Sequence, residues 1–201
     1  MFKSVLAAAA LVAAATPALA QDAPKTFNGP YVGVQAGWQQ DRQTLNAGNT
    51  STSNNTSGFA YGAQVGYDFR LGDAAVVGVE VDLTGTTGST AFTGFDINAG
   101  RTISSTLRAG YLLDPQGLLY VRGGYRNARF TIDNTTGNDV SENRDGWTIG
   151  AGYERYLTDK VSARVEYNYT GLGSDALPTT NVSRSLDYQR HAITAGVNFR
   201  F

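Results

Sequence analysis

Charged side chains recur two residues apart along this chain: Asp68 with Arg70, Glu80 with Asp82, and Arg164 with Glu166. On a strand, where side chains alternate, that spacing puts both members of a pair on one face. Two carboxylates so placed can do general acid–base chemistry, or they can accept the hydrogen bonds of an ion-pair network. Arg108, Arg122, Glu154 and Arg200 favour the network, because both signs are interspersed with Gly, Ser and Thr in the same phase. The single histidine, His191, is followed by Ala192 and Ile193, so no His-x-Ser pattern occurs. Ser183 and Ser185 fall in what reads as a loop, and His191 therefore reads as an interfacial side chain. There is no Cys, no phosphate-binding loop and no clustered set of metal ligands. Neither a disulfide nor a lipid-anchored cysteine terminus can form, and no catalytic residue, cofactor or metal is expected.

The elements that would carry these charges are strands, because period two dominates the sequence. Eight segments show it: about Tyr31 to Gln39, Phe59 to Arg70, Val77 to Thr84, Ile103 to Leu112, Leu118 to Asn127, Trp147 to Tyr156, Val161 to Tyr169, and from about Tyr188 onward. In the second, Phe59, Tyr61, Ala63, Val65, Tyr67 and Phe69 alternate with Gly62, Gln64, Gly66, Asp68 and Arg70. The fifth loses phase beyond Arg126, where Phe130 falls on the wrong face, and a bulge there would restore it. Short turns follow the second, fourth and sixth segments, at Leu71–Asp73, Leu113–Gly117 and Thr158–Asp159. Long polar stretches follow the others: Gln40 to Gly58, Gly85 to Thr102, Ala128 to Gly146, and Gly171 to Asp187. Short turns on one rim and long loops on the other define an all-β, eight-stranded antiparallel up-and-down transmembrane β-barrel, with both termini on the short-turn side.

Composition agrees. The chain has 24 Gly, 11 Tyr and 9 Phe but 5 Pro and 1 Met, and no stretch after the first twenty residues approaches the ~20 apolar residues of a membrane helix. A barrel strand shows lipid only every other residue, so its mean hydropathy can match that of a soluble protein. Lys3, the apolar run Val5 to Ala15, and Ala18-Leu19-Ala20 before Gln21 read as a secretory signal peptide over residues 1–20, leaving residues 21–201 as one barrel domain. Without Lys3 the balance of 16 basic against 17 acidic residues becomes 15 against 17. No basic patch advertises nucleic acid.

The last strand, Thr194 to Phe201, sets Val197, Phe199 and Phe201 against Gly196, Asn198 and Arg200. Gly196, Phe199 and Phe201 resemble the terminal assembly signal of bacterial outer-membrane barrels. With Gly29 to Gly37, Val65 to Phe69, Val77 to Glu80 and Ala163 to Tyr167, the chain resembles the small outer-membrane barrel family that includes the OmpA transmembrane domain and the Omp25/Omp31-type surface proteins of the porin family. The resemblance implies the outer membrane of a Gram-negative bacterium, reached through the periplasm. Its implied partners are outer-membrane lipids including lipopolysaccharide, the barrel-assembly machinery, and periplasmic chaperones. It also implies a charged gate, with Arg164 and Glu166 as the seventh-strand part, and Gln35 and Gln64 standing where charged partners would be. A peptidoglycan-binding domain of the kind that follows the OmpA barrel is not expected beyond Phe201.

The inward phase collects Gln35, Gln64, Asp68, Arg70, Glu80, Asp82, Arg108, Arg122, Glu154, Arg164, Glu166, Asn198 and Arg200. An eight-stranded barrel is about wide enough for its own side chains to fill, so cross-lumen ion pairs and a plugged or very narrow interior are expected. The expected role is structural and surface-presenting, with at most narrow pore activity for small solutes. An adhesin using the loops for host or surface ligands and a porin-type diffusion channel are the alternatives. A lipid A-modifying enzyme, the activity of some eight-stranded barrels, ranks below them.

Overall fold

The computed structural model describes residues 27–47, 50–87, 89–92, 95–134, 140–177 and 184–201. The expected leader and its cleavage residues Ala18, Ala20 and Gln21 lie outside them.

Among the described residues nine strands run in chain order: β1 (Gly29–Ala47), β2 (Thr50–Leu71), β3 (Ala75–Thr86), β4 (Ser89–Phe92), β5 (Phe95–Asp114), β6 (Gly117–Asn134), β7 (Val140–Tyr156), β8 (Val161–Leu177) and β9 (Arg184–Arg200). Eight are staves. The four-residue β4 pairs with the outer part of β5. Antiparallel neighbours follow the order β3-β2-β1-β9-β8-β7-β6-β5, and a β3–β5 ladder closes the cylinder. Closure is required where lipid surrounds the wall, because hydrocarbon offers no partner to a free N–H or C=O.

Local chemistry sets the short turns. At Asp114–Gly117 the Asp114 carboxylate accepts the Gln116 N–H at 2.8 Å, and before β8 the Thr158 hydroxyl accepts the Val161 N–H at 3.1 Å, both side-chain-stabilised turns. Along β3 exposed and buried residues alternate strictly from Ala75 to Leu83. The pair Leu107 and Arg108 inverts the pattern of a soluble protein: Leu107 is 68% exposed, whereas Arg108 beside it is 3% exposed.

The expected loops are shorter than their polarity suggests. Much of Gln40–Gly58 continues the β1–β2 ladder as far as Ala47↔Thr50, and β5, β6, β7, β8 and β9 likewise extend into the other three stretches. Backbone pairing needs no apolar side chain, so the ladder outruns the lipid-facing pattern. The bulge expected in β6 beyond Arg126 is not there, since β6 pairs with β7 without a register shift through Ile132; the irregularity on the neighbouring ladder, between Ala99↔Phe130 and Thr102↔Ala128, puts the extra residue in β5. Among the described residues the β7–β8 ladder stops at Gly146↔Leu172 and β2–β3 at Ala60↔Thr86, while the neighbouring ladders continue. Beyond those pairs the hydrogen-bonded neighbours are β2-β1-β9-β8 on one side and β7-β6-β5-β4 on the other.

Candidate functional site: the charged lumen

Inward side chains fill the cylinder in three levels. Nearest the short turns, Arg108 and Arg200 bridge Asp68 and Glu154. Arg108 reaches Asp68 at 3.1 Å and Glu154 at 3.0 Å, and Arg200 reaches the same two carboxylates at 2.9 and 2.8 Å. Ser162 and Asn198 also donate to Glu154, at 2.5 and 2.9 Å. Asn198 in turn accepts from Gln64 at 2.7 Å.

The middle level centres on Glu80. It accepts from Arg122 and Arg164, each at 2.6 Å, and from the Tyr31 hydroxyl at 2.6 Å. Arg122 continues to Asp82 at 2.5 Å and Glu166 at 3.0 Å. Arg164 also donates to Gln35 at 3.1 Å, and Tyr120 donates to Glu166 at 2.7 Å. Tyr31 reaches Glu80 because its ring crosses Gly66, where an added Cβ would lie 2.4 Å from the Tyr31 Cζ and hydroxyl oxygen. The Arg108 guanidinium stacks 4.5 Å from the Tyr120 ring centroid and 5.3 Å from that of Tyr31, adding cation–π attraction to its ion pairs.

Towards the far rim, Arg126 donates to Ser104 at 2.7 Å and Thr170 at 2.9 Å, with Asp82 at 3.7 Å. Arg190 pairs with Asp41 at 2.6 Å and donates to Tyr188 at 2.8 Å. Apolar clusters close both ends of this polar column. Phe27, Val76, Leu112, Leu118, Tyr120 and Tyr156 form one at the short-turn end, and Ala128, Leu172 and Tyr188 form the other.

Of the thirteen inward residues expected from phase, twelve are buried. Arg70 is a correction: it is exposed, and its guanidinium donates to the turn carbonyls of Gly72 and Asp73 at 3.2 and 2.6 Å. Its phase is inward, but β2 ends one residue later, so the side chain lies beyond the lumen mouth. Sequence reading missed Asp41, Arg126, Arg190 and Tyr31 as members. Asp41 was assigned to a loop; the other three had a lumen phase that could have marked them.

Buried charge is balanced among the described residues: six arginines (108, 122, 126, 164, 190, 200) face six carboxylates (Asp41, Asp68, Glu80, Asp82, Glu154, Glu166). Such balance is what a low-dielectric enclosure demands, since an unpaired buried ion costs several kcal/mol. Gln35 and Gln64, standing where charged gate partners would be, take neutral roles, and the central acceptor is Glu80 on β3. Gly196 lies in the inner wall beside Gln35 and Arg164, and Phe199 and Phe201 stack edge to face at 5.1 Å on the outer surface. His191 faces outward and its Nδ1 lies 2.7 Å from the Tyr167 hydroxyl. Ser185 falls within β9 rather than in a loop, and Ser183 lies outside the described residues.

A closed antiparallel cylinder with an apolar outer wall and a salt-bridged interior defines an integral β-barrel membrane protein. The chain belongs to the outer membrane protein beta-barrel domain family, whose model matches residues 6–201. It is 33% identical over 190 residues to the 25 kDa outer-membrane immunogenic protein of Brucella abortus, covering 92% of this chain and 84% of that one. It is 30% identical over 182 residues to the 22 kDa outer membrane protein of Rhizobium leguminosarum bv. viciae, covering 90% and 83%. Among solved structures, Neisserial surface protein A (NspA) superposes with a TM-score of 0.53 at 18% identity, covering 85% of this chain and 97% of that one, a likeness of fold. The protein is therefore an outer-membrane β-barrel of the Gram-negative envelope. The short turns then lie on the periplasmic side and the long hairpins outside.

Proposed function

We propose that the protein is a closed barrel whose role is structural and surface-presenting: it holds the outer hairpins on a rigid wall and passes, at most, very small solutes. One observation carries this reading. Twelve buried charges, linked across the lumen and capped at both ends by apolar clusters, occupy the path a solute would take. A diffusion channel needs a continuous wet lumen, and eight strands enclose only enough width for side chains. The surface-presenting half of the proposal is supported by the ladder that continues beyond the lipid-facing wall on β1 and β2, and by relatives in Brucella that are named immunogenic outer-membrane proteins. The proposed role is non-enzymatic, in keeping with relatives named as outer-membrane immunogenic proteins.

Swelling of liposomes containing the refolded protein in isotonic small sugars tests the closed lumen. The proposal expects swelling at the rate of protein-free liposomes. Rapid swelling with disaccharides would overturn it in favour of a diffusion channel.

A further inference from the structure

The outer wall is not uniform where it emerges from lipid. On β6 and β7 its polar groups satisfy one another: Tyr125 and Asn127 both donate to the Asp145 carboxylate, the latter at 2.6 Å. His191 packs edge-on to Tyr169 with ring centroids 5.1 Å apart, and Trp147 stacks on Tyr169 at 5.4 Å. The Tyr167 contact uses His191 Nδ1 and leaves Nε2 for another partner. Strand register sets Gln40 opposite His191, and Arg42 opposite Gln189. Gln40, Arg42 and Gln189 are exposed in the outward phase.

Height matters as much as charge. Trp38, exposed on the outer wall, marks the edge of the lipid-facing zone on β1, and the His191 and Arg42 levels lie two and four residues beyond it. At a rise of about 3.3 Å per residue on a tilted strand, they stand roughly 5 to 10 Å outside the Trp38 level. That is headgroup depth. Below them Trp38, Ile193 and Val165 offer an apolar surface.

We propose that Arg42, His191, Gln40 and Gln189 form a seat for the phosphorylated headgroup of an outer-leaflet lipid. Arg42 supplies the charge-assisted fork, His191 Nε2–H and the two amides supply further donors, and the acyl chains lie on Trp38, Ile193 and Val165. Tyr167 is a positioning residue that fixes the imidazole. The seat rests on the outer wall of the proposed barrel being lipid-facing, and it goes beyond that reading by naming the ligand chemistry.

The test is native mass spectrometry of the detergent-folded protein titrated with phosphatidic acid, with phosphatidylcholine of the same chains, and with inorganic phosphate. Phosphatidic acid is expected to be retained in preference to both. The double variant R42A/H191A is expected to lose about tenfold in phosphatidic acid affinity and Y167F about two- to threefold. N127A, on the opposite wall, keeps wild-type binding. Heat-modifiable migration in detergent gels reports separately that each variant is a folded barrel. Equal retention of the two lipids, or a folded double variant that binds as wild type, would overturn the seat while leaving the closed barrel standing. Equal affinity for inorganic phosphate would also overturn it, by making the site one for a free ion.

Discussion

Glu80 is where the lumen network converges, with two arginines and a tyrosine hydroxyl bound to one carboxylate and Arg108 at 3.9 Å. Removing it by Glu80→Ala strands buried cations that have no water to turn to, which costs about 3–5 kcal/mol for a broken buried pair. Urea unfolding in detergent micelles should show that loss. Arg70→Ala, by contrast, removes an exposed side chain held by two turn carbonyls, and its effect should stay within about 0.5 kcal/mol. A comparable loss in both variants would contradict the boundary drawn between network and rim. The inward identity of residues such as Glu154 and Arg200 was legible because alternation alone determines which wall a strand residue joins. Their partners were not. The pairing of Asp41 with Arg190 spans 149 positions and depends on strand tilt and register, which period two does not encode. Arg70 shows the opposite failure, since phase places a residue on a wall but says nothing of where that wall ends.

At the level of elements, the two faces of each strand make opposite demands. Leu107, on β5 between Arg108 and Thr106, points outward, whereas both neighbours are buried. Replacing it by arginine puts a charge into hydrocarbon, and Leu107→Arg should destabilise the folded barrel by about 2–4 kcal/mol if the site lies near mid-bilayer. Equilibrium refolding into lipid vesicles measures this. A neutral result would mean that this face does not meet lipid. The staves themselves were legible wherever lipid imposes alternation, as in the unbroken pattern of Phe59 to Phe69. Beyond the membrane that pressure ends, and Thr50 to Gly58 reads as a loop although its backbone pairs with β1 residue by residue. The β5 bulge was not legible: β6 keeps its register with β7 through Phe130, so the phase fault read there does not mark it.

For the whole molecule, closure and the proposed plugging follow from one constraint. Lipid forces every backbone group to pair within the cylinder, an eight-stranded cylinder has no spare width, and the inward charges must then neutralise one another across the axis. The result is a wall with a greasy exterior and a salt-bridged interior, on which the outer hairpins are carried. Single-channel recording of the refolded protein in a planar lipid bilayer tests this most directly. The account predicts no stable conductance at the level of a diffusion channel in the wild type. Long-lived openings of porin size would contradict it, since the proposal has the arginine–carboxylate network occupy the path of a diffusion channel.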